Sequence, residues 1–293
     1  MAVVSPSRLT FRRPPIMGPA GPPPALHVCE AGPPGRTLVF LPGLGGTTRY
    51  WQGRLGVLEQ KYHAVLVDPL GFGESPKPWT RYTVERHVQA LHQALSRMAP
   101  FTLVGHSMGA LLAVAYAARH PADVEGLVLL GLPNFGSPEK AFRFFRKGSW
   151  VNRVFLSNMV LAAVICVLTR RVFAWLVPYL QPELPREVAA DVVRHSWRSF
   201  TSSLWEVVYN CDTARDADRL DRRLPVVCLH GDRDITAPLE GLLALVQGRP
   251  NWRVRVLPGV DHHPLLHAPA ECYRAIEAVT RREELGPQEA ELV

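Results

Sequence analysis

The pentapeptide Gly105-His106-Ser107-Met108-Gly109 reads G-x-S-x-G and lies between two segments of opposite character. Residues 101–104 form an apolar run that suits a buried strand, and residues 110–119 are strong helix formers that stop before Pro121. A strand that turns directly into a helix holds a serine hydroxyl exposed on a sharp, strained turn. G-x-S-x-G alone also occurs in ordinary glycine-rich turns, but in this context it predicts a nucleophile at Ser107.

Apolar runs of strand length alternate with helical patterns on either side of the pentapeptide. The predicted strands are residues 37–41, 64–67, 101–104, 127–130, 226–229 and 254–257, and the predicted helices are residues 83–98, 110–119, 239–247 and 270–280. Continuous apolar strands that alternate with helices are typical of a parallel sheet covered on both faces. We therefore predict an α/β fold with a mostly parallel sheet and helices on both faces.

The alternation stops between residues 133 and 224. Helical patterns follow one another there, over residues 139–147, 151–168, 170–180, 185–199 and 202–211. We expect an inserted all-helical cap at 133–224, over the carboxyl edge of the sheet, where ligands of open α/β sheets bind. The predicted core is then 26–132 and 225–282, preceded by a flexible Pro- and Gly-rich extension at 1–25 and followed by a flexible tail at 283–293.

Bulk composition is that of a globular protein. The chain has 293 residues, of which 47% are hydrophobic and 20% are charged, enough to fill a core. The formal net charge of +7 could suit nucleic acid, but the arginines are scattered and no binding motif accompanies them. We therefore predict no nucleic-acid partner.

The cysteine pattern and the apolar runs indicate a cytoplasmic protein. The five cysteines are far apart and contain no C-x-x-C pair, which favours free thiols in a reducing compartment over disulfides or zinc. The N-terminal residues show no apolar signal region, and the longest apolar run, residues 159–168, is shorter than the roughly 20 residues that span a bilayer. The oligomeric state is not predicted.

A serine nucleophile needs a base, and His262 is the best candidate. It lies in the loop after the predicted strand 254–257, and a loop at the carboxyl end of a strand can reach the serine. His263 is an adjacent rival that spacing alone does not exclude. His106 is next to the serine, but we expect its side chain to point away across the turn.

The base in turn needs an acid that holds its tautomer and stabilises its protonated form. Asp234 lies in the loop after the predicted strand 226–229, and Asp232 and Asp261 are competitors that could merely cap turns. The order Ser107, Asp234, His262 is the one expected for this architecture.

An oxyanion hole requires two backbone donors. The amide of Met108, directly after the nucleophile, is the first candidate. The second is the amide of Leu44 in the glycine-rich loop LPGLGGTT at 41–48. A nucleotide-binding loop is the alternative for this stretch, but neither G-x-x-x-x-G-K-[ST] nor G-x-G-x-x-G is present.

These motifs together resemble the α/β-hydrolase family, in the capped branch that includes esterases, epoxide hydrolases, haloalkane dehalogenases and carbon–carbon bond hydrolases. The matching stretches follow family order over residues 26–282: LPGLGG at 41–46, DPLGFGES at 68–75, GHSMG at 105–109, GDRD at 231–234 and GVDH at 259–262. The resemblance implies that Asp234 is the acid and His262 the base, and that residues 68–75 form a mainly structural loop near the pocket rim.

Two departures from the family and the identity of the nucleophile narrow the chemistry. The oxyanion loop begins Leu-Pro-Gly where many members have His-Gly, which leaves the neighbours of its donor unassigned. His263 stands where tryptophan or phenylalanine is common, which weakens the interpretation as a carbon–carbon hydrolase. Epoxide hydrolases and haloalkane dehalogenases carry aspartate at the elbow, whereas serine suits acyl transfer.

The sequence therefore predicts a serine hydrolase that cleaves a carboxylic ester, or a related acyl bond, of a small to medium apolar substrate through an acyl-enzyme. No cofactor and no metal are expected, since nothing has ligand spacing. A carbon–carbon hydrolase, thioesterase, perhydrolase or acyltransferase on the same triad stays open. A non-catalytic member of the fold, or weak contact of the basic, apolar cap with a membrane surface, is a more distant alternative.

Overall fold

The computed structural model describes residues 24–147, 185–191 and 194–283. Almost all of the predicted extension at 1–25 and tail at 283–293 lies outside these residues. The predicted cap helices at 151–168 and 170–180 also lie outside them. Among the described residues, no helix is both long and apolar enough to cross a membrane.

Within the described residues, seven strands form one sheet in the order β1-β3-β2-β4-β5-β6-β7. Their bounds are β1 Val28–Ala31, β2 Thr37–Leu41, β3 His63–Val67, β4 Phe101–His106, β5 Val124–Leu130, β6 Val226–Gly231 and β7 Trp252–Leu257. Of these seven described strands, only β1 is antiparallel to its neighbour, and the other pairs are parallel. Every residue of β2, β4 and β6 is buried, which explains why these strands read as continuous apolar runs.

Helices cover both faces of the sheet. Their bounds are α1 Val57–Lys61, α2 Val84–Leu95, α3 Met108–Arg119, α4 Pro138–Lys147, α5 Arg186–Asp191, α6 Trp197–Ser203, α7 Thr213–Asp218, α8 Leu239–Val246, α9 Pro264–His267 and α10 Pro269–Arg281. Single 3₁₀ turns lie at Thr48–Tyr50 and Ser96–Met98, and a π-helical stretch at Leu204–Tyr209 continues α6. One apolar cluster contains side chains of α2, α3 and α8, and the other contains side chains of α1, α9 and α10. The predicted fold class is confirmed.

The six predicted strands are all present, with ends that differ by a few residues. The edge strand β1 was missed because it has only four residues and carries the exposed Glu30. A short, half-exposed strand lacks the continuous apolar run by which the central strands are recognised.

The helix predicted at 185–199 is wrong as a single element. The chain forms α5, then pairs His195 with Phe72 in antiparallel fashion, and then begins α6. Ser196 caps α6, because its side chain accepts a hydrogen bond from the Ser199 amide while the Ser199 side chain accepts one from the Ser196 amide. Helix α7 was also missed, although Asp212 caps it.

Polar side chains hold part of the predicted cap on the core. We call residues 185–191 and 194–209 the docking segment. Ser199 Oγ donates to the Gly71 carbonyl at 2.8 Å, and the Tyr82 amide donates to Ser202 Oγ at 2.9 Å. His87 Nε2 on α2 lies 3.1 Å from Ser203 Oγ. The boundaries of the cap at 133–224 stay a prediction.

Candidate active site

Ser107 occupies the turn between β4 and α3, with φ 52° and ψ −117°. Positive φ is costly for a residue with a side chain, so the surrounding structure must impose it. The flanking glycines allow the close contacts that do so: a Cβ at Gly105 would lie 2.4 Å from the Gly109 carbonyl oxygen, and a Cβ at Gly109 would lie 2.3 Å from that of Leu41. The two glycines of the motif are thus required by backbone contacts.

His262 and Asp234 meet at this serine. His262 lies between β7 and α9, and its Nε2 is 2.9 Å from Ser107 Oγ. Its Nδ1 is 2.7 Å from Asp234 Oδ2. Asp234 follows β6, and its Oδ1 accepts hydrogen bonds from the amides of Thr236 at 2.8 Å and Ala237 at 2.9 Å. The structure therefore brings the three predicted side chains into one hydrogen-bonded chain.

The Asp234 carboxyl is held in its ionised form. Burial by itself raises its pKa, but the hydrogen bond and charge of His262, with the two backbone amides, outweigh burial and lower the pKa below its ordinary value. An ionised Asp234 accepts from Nδ1–H of His262, which leaves the Nε2 lone pair directed at the serine hydroxyl.

A second histidine, His230, lies 3.8 Å from the same carboxylate, but it is not its ionic partner. Burial lowers the pKa of His230 despite the attraction of Asp234, so its imidazole is neutral. Its Nε2–H donates to the Ala237 carbonyl at 3.2 Å. The hydrogen-bonded imidazole partner of the carboxylate is therefore His262.

The rival candidates serve local structure instead. His263 packs against Tyr50 and the His106 ring, and burial lowers its pKa to about 4. Asp232 Oδ1 accepts from the Gly259 amide at 2.7 Å, and Asp261 Oδ1 accepts from the His263 amide at 2.8 Å. Asp261 thus caps its own turn, whereas Asp232 links the loop after β6 to the loop after β7.

His106 makes a contact that sequence reasoning missed. Its Nε2–H donates to the backbone carbonyl of His262 at 2.8 Å, and its ring stacks on Tyr50 with centroids 4.7 Å apart. Burial, together with His262 and His263, holds the pKa of His106 well below its usual range, so it is a neutral donor. The second residue of the motif thus ties the serine turn to the loop of the base, and no local pattern reveals such a long-range partner.

The glycine-rich loop after β2 lies against the serine. A Cβ at Gly43 would be 3.1 Å from Ser107 Cβ, and the Gly46 amide donates to the Gly43 carbonyl at 3.0 Å. Leu44 is in the turn so formed. Met108 is the first residue of α3, where backbone amides have no acceptor within the helix. The two amides predicted as oxyanion donors therefore belong to segments that adjoin the serine.

The loop at 68–75 supports this arrangement, as the resemblance implies. Asp68 Oδ1 accepts from the Thr48 amide at 2.6 Å, and its Oδ2 accepts from the Glu74 amide at 2.7 Å. Ser75 Oγ donates to the Asp68 carbonyl at 2.6 Å. Asp68 is buried and serves as a backbone anchor.

Among the described residues, one group of side chains has the composition of a metal site. His92, His120 and Asp123 place their ligand atoms within 4.8 Å of one another. However, the two imidazoles stack face to face, 3.7 Å apart and 6° from parallel, so their in-plane lone pairs do not converge on one point. Asp123 Oδ2 already accepts from Tyr116 Oη at 2.7 Å. We assign no metal here, and the absence of a cofactor stays a prediction.

Comparison with known proteins defines the class. A family model described as alpha/beta hydrolase fold matches residues 36–269, and the chain belongs to this family. It is thus an α/β-hydrolase, as the motifs predicted.

Individual relatives are more distant. The chain is 26% identical over 263 residues to "Probable lysophospholipase BODYGUARD 4" of Arabidopsis thaliana, covering 81% of this chain and 62% of that protein. It therefore spans about three fifths of the length of that relative.

Solved structures agree on the fold. A thermophilic esterase from Thermogutta terrifontis matches with a TM-score of 0.66 at 21% identity, covering 88% of this chain and 93% of its own. A bromoperoxidase from Bacillus anthracis matches with a TM-score of 0.68 at 22% identity, covering 87% of this chain and 95% of its own.

Proposed function

We propose that this α/β-hydrolase is a serine hydrolase that cleaves a carboxylic ester, or a related acyl bond, through an acyl-enzyme. The observation that carries the proposal is the hydrogen-bonded chain from Ser107 Oγ through His262 to Asp234. A serine, a base and an orienting acid in this order are what acyl transfer requires.

In the proposed reaction, His262 Nε2 takes the proton of Ser107 Oγ while the oxygen bonds to the acyl carbon. The amides of Leu44 and Met108 donate to the resulting oxyanion. The protonated imidazole, stabilised by Asp234, gives its proton to the leaving alkoxide. Water then attacks the acyl-enzyme, loses a proton to His262, and releases the carboxylic acid as that proton returns to Ser107.

We infer an apolar substrate of small to medium size. Two similar proteins are named an esterase and a probable lysophospholipase, which supports an ester substrate. The described aromatic residues of the predicted cap do not test the size or polarity of the substrate. Phe144 and Phe145 contact Phe135, and Phe145 stacks on Tyr209, so these rings pack against one another within residues 133–224.

The test is turnover of nitrophenyl esters of increasing acyl length by wild type and Ser107→Ala. We expect hydrolysis by wild type, loss of it in Ser107→Ala, and a fluorophosphonate adduct on Ser107. Ser96→Ala, which removes an exposed serine from a 3₁₀ turn, is the matched control and should keep full activity. Full activity of Ser107→Ala, or no adduct on the wild type, would overturn the proposal and would favour a non-catalytic member of the fold.

A wider set of substrates and acceptors tests whether the same three residues catalyse another acyl-transfer reaction. The bromoperoxidase match favours a peroxide-dependent activity as the second candidate. Wild type and Ser107→Ala should therefore also be compared on thioesters, lactones and a vinylogous 1,5-diketone, and on esters with added hydrogen peroxide or an alcohol acceptor. Faster turnover with peroxide or an acceptor than with water would replace the hydrolase assignment by a perhydrolase or an acyltransferase.

We also propose a reducing, cytoplasmic location. The described cysteines Cys29, Cys211, Cys228 and Cys272 are all free thiols. Burial raises the pKa of Cys211 and of Cys272 to about 12, so neither is a reactive thiolate. When protein purified from its natural source is unfolded in denaturant without reductant, an alkylating reagent should label every cysteine.

The cap residues that suggest weak contact with a membrane surface lie mostly at 148–184, outside the described residues. This contact stays a prediction. Salt-sensitive sedimentation with anionic liposomes would support it, and no binding would dismiss it.

A further inference from the structure

Asp191, at the end of α5, is a buried carboxylate outside the triad. Only 2% of its side chain is exposed. Its Oδ2 accepts from Thr47 Oγ1 at 2.6 Å, and its Oδ1 lies 3.3 Å from Arg49 Nη1 and 3.5 Å from Arg194 Nη1. Burying a carboxylate costs free energy unless it is paired, so α5 can pack here only with Asp191 bonded to these partners.

The residue that Asp191 holds closes the loop of the predicted oxyanion donor. Thr47 follows the Gly43–Gly46 turn that contains Leu44, and it is itself buried. The next residue, Thr48, is held from the core side, because its amide donates to Asp68. The end of this loop is therefore fixed between one carboxylate of the core and one of the docking segment.

We propose that Asp191 is a positioning residue, which through the Thr47 hydroxyl fixes the loop that presents the Leu44 amide to the oxyanion. The oxyanion hole is then complete only when α5 is seated on the core. This inference rests on the proposed function. It follows because donors to an oxyanion act by being preorganised, and a displacement of about 1 Å can reduce the rate roughly 100-fold.

Thr47→Val and Thr47→Ser form the matched pair that tests the hydroxyl. Valine keeps the shape of threonine and removes the hydroxyl, whereas serine keeps the hydroxyl. We expect Thr47→Val to lower kcat by roughly 10-fold or more with KM within about twofold, since the lost interaction is made in the transition state. Thr47→Ser should retain kcat within about threefold of wild type.

Substitutions at Asp191 test the other partner. Asp191→Asn keeps an oxygen that can accept from Thr47, so it should lose less kcat than Asp191→Ala. Arg49→Ala, which removes a partly exposed partner of the same carboxylate, should change kcat by less than about threefold. Each single variant already lacks the bond between Thr47 and Asp191, although Thr47 Oγ1 also accepts from the Arg49 amide and Asp191 also contacts Arg49 and Arg194. The double variant Asp191→Ala with Thr47→Val should therefore lose less kcat than the product of the two single losses.

Two further readouts separate positioning from folding. A trifluoromethyl ketone forms an adduct that places an oxyanion in the hole, so its inhibition of the Thr47 and Asp191 variants should weaken in proportion to their kcat. The melting temperatures of the same variants should not follow the order of their kcat values. The rate of fluorophosphonate labelling of Ser107 gives the same ranking if the natural bond is not an ester. Labelling at the wild-type rate in Thr47→Val, or equal losses in Thr47→Val and Thr47→Ser, would overturn the positioning role, whereas no labelling of wild type would overturn the proposed function instead.

Discussion

The serine turn of the core and the docking segment are fixed in place by different kinds of contact. In the core, the serine turn is fixed by backbone contacts, such as the close approach of Gly109 to Leu41, and by strands buried on both sides. The docking segment packs on the core through buried apolar side chains such as Phe200, Leu204 and Val207. It is tied there in addition by individual polar side chains, including Asp191, Ser199 and Ser202. The serine turn therefore depends on backbone contacts, whereas the docking segment adds to its apolar packing a few hydrogen bonds that substitutions can remove one at a time.

The largest expected effect is on the core side of this comparison. His262→Ala should lower kcat/KM by about 10⁴-fold, because it removes the base from the serine, and the melting temperature should change little by comparison. His263→Gln is the control, since that ring packs on its neighbours and does not contact Ser107. Losses of equal size in both variants would show that packing of the histidine cluster, and not a specific base, determines the rate.

The junction between the two regions should respond to pH. His87 on α2 contacts Ser203, and burial lowers its pKa from 6.5 to about 4. Below pH 6.5 the unfolded chain binds a proton that the folded state does not, so the free energy of unfolding is full above pH 6.5 and falls as the pH drops toward 4. His87→Gln should remove about 2 to 3 kcal/mol of this fall, measured by urea unfolding at pH 7 and pH 4.5.

Hydrogen exchange sharpens the same test. At pH 5 the amides of α6 should exchange faster than at pH 7 in wild type, after correction for intrinsic rates, and this acceleration should be absent in His87→Gln. An identical pH dependence in wild type and variant would show that the junction does not sense protonation at His87.

The smallest expected effect concerns Ser199 in the docking segment. Ser199→Ala removes the hydroxyl that donates to the buried Gly71 carbonyl and accepts the capping bond from the Ser196 amide, and should cost about 1 to 2 kcal/mol, seen as faster exchange of α6 amides while the central strands stay protected. Thr201→Val is the control, because its hydroxyl bonds to Trp197 within the same helix. If α6 and β4 lost protection together, the two regions would form one cooperative unit.

The same contrast explains what the sequence could predict. Strands such as β2 and β4 are buried on both faces and must be apolar throughout, so local composition reveals them. The Ser107 turn and the loop of Asp234 follow such strands, whereas the strand before His262, β7, is only partly buried. The order of the three residues along the chain indicated that they would meet. The structure brings them within hydrogen-bonding distance.

What could not be predicted depends on partners far apart in sequence. The break between α5 and α6 arises where His195 pairs with Phe72, a residue far away in the sequence. This tertiary contact overrides the local helical propensity. The bond from Asp191 to Thr47 spans 144 residues. Helical propensity is the same whether or not such a partner exists, so the pattern at 185–199 indicated one continuous helix.

The hydrogen bond from His106 to the His262 carbonyl has a practical consequence for directed evolution. The position before the serine in G-x-S-x-G is an attractive site for saturation mutagenesis, because it adjoins the nucleophile without being one. Here the His106 imidazole connects the serine turn to the loop that carries the base. We therefore expect variants at 106 to change the orientation of the His262 side chain before they change the choice of substrate. Libraries meant to change specificity should hold this residue constant and vary the loops that contact it.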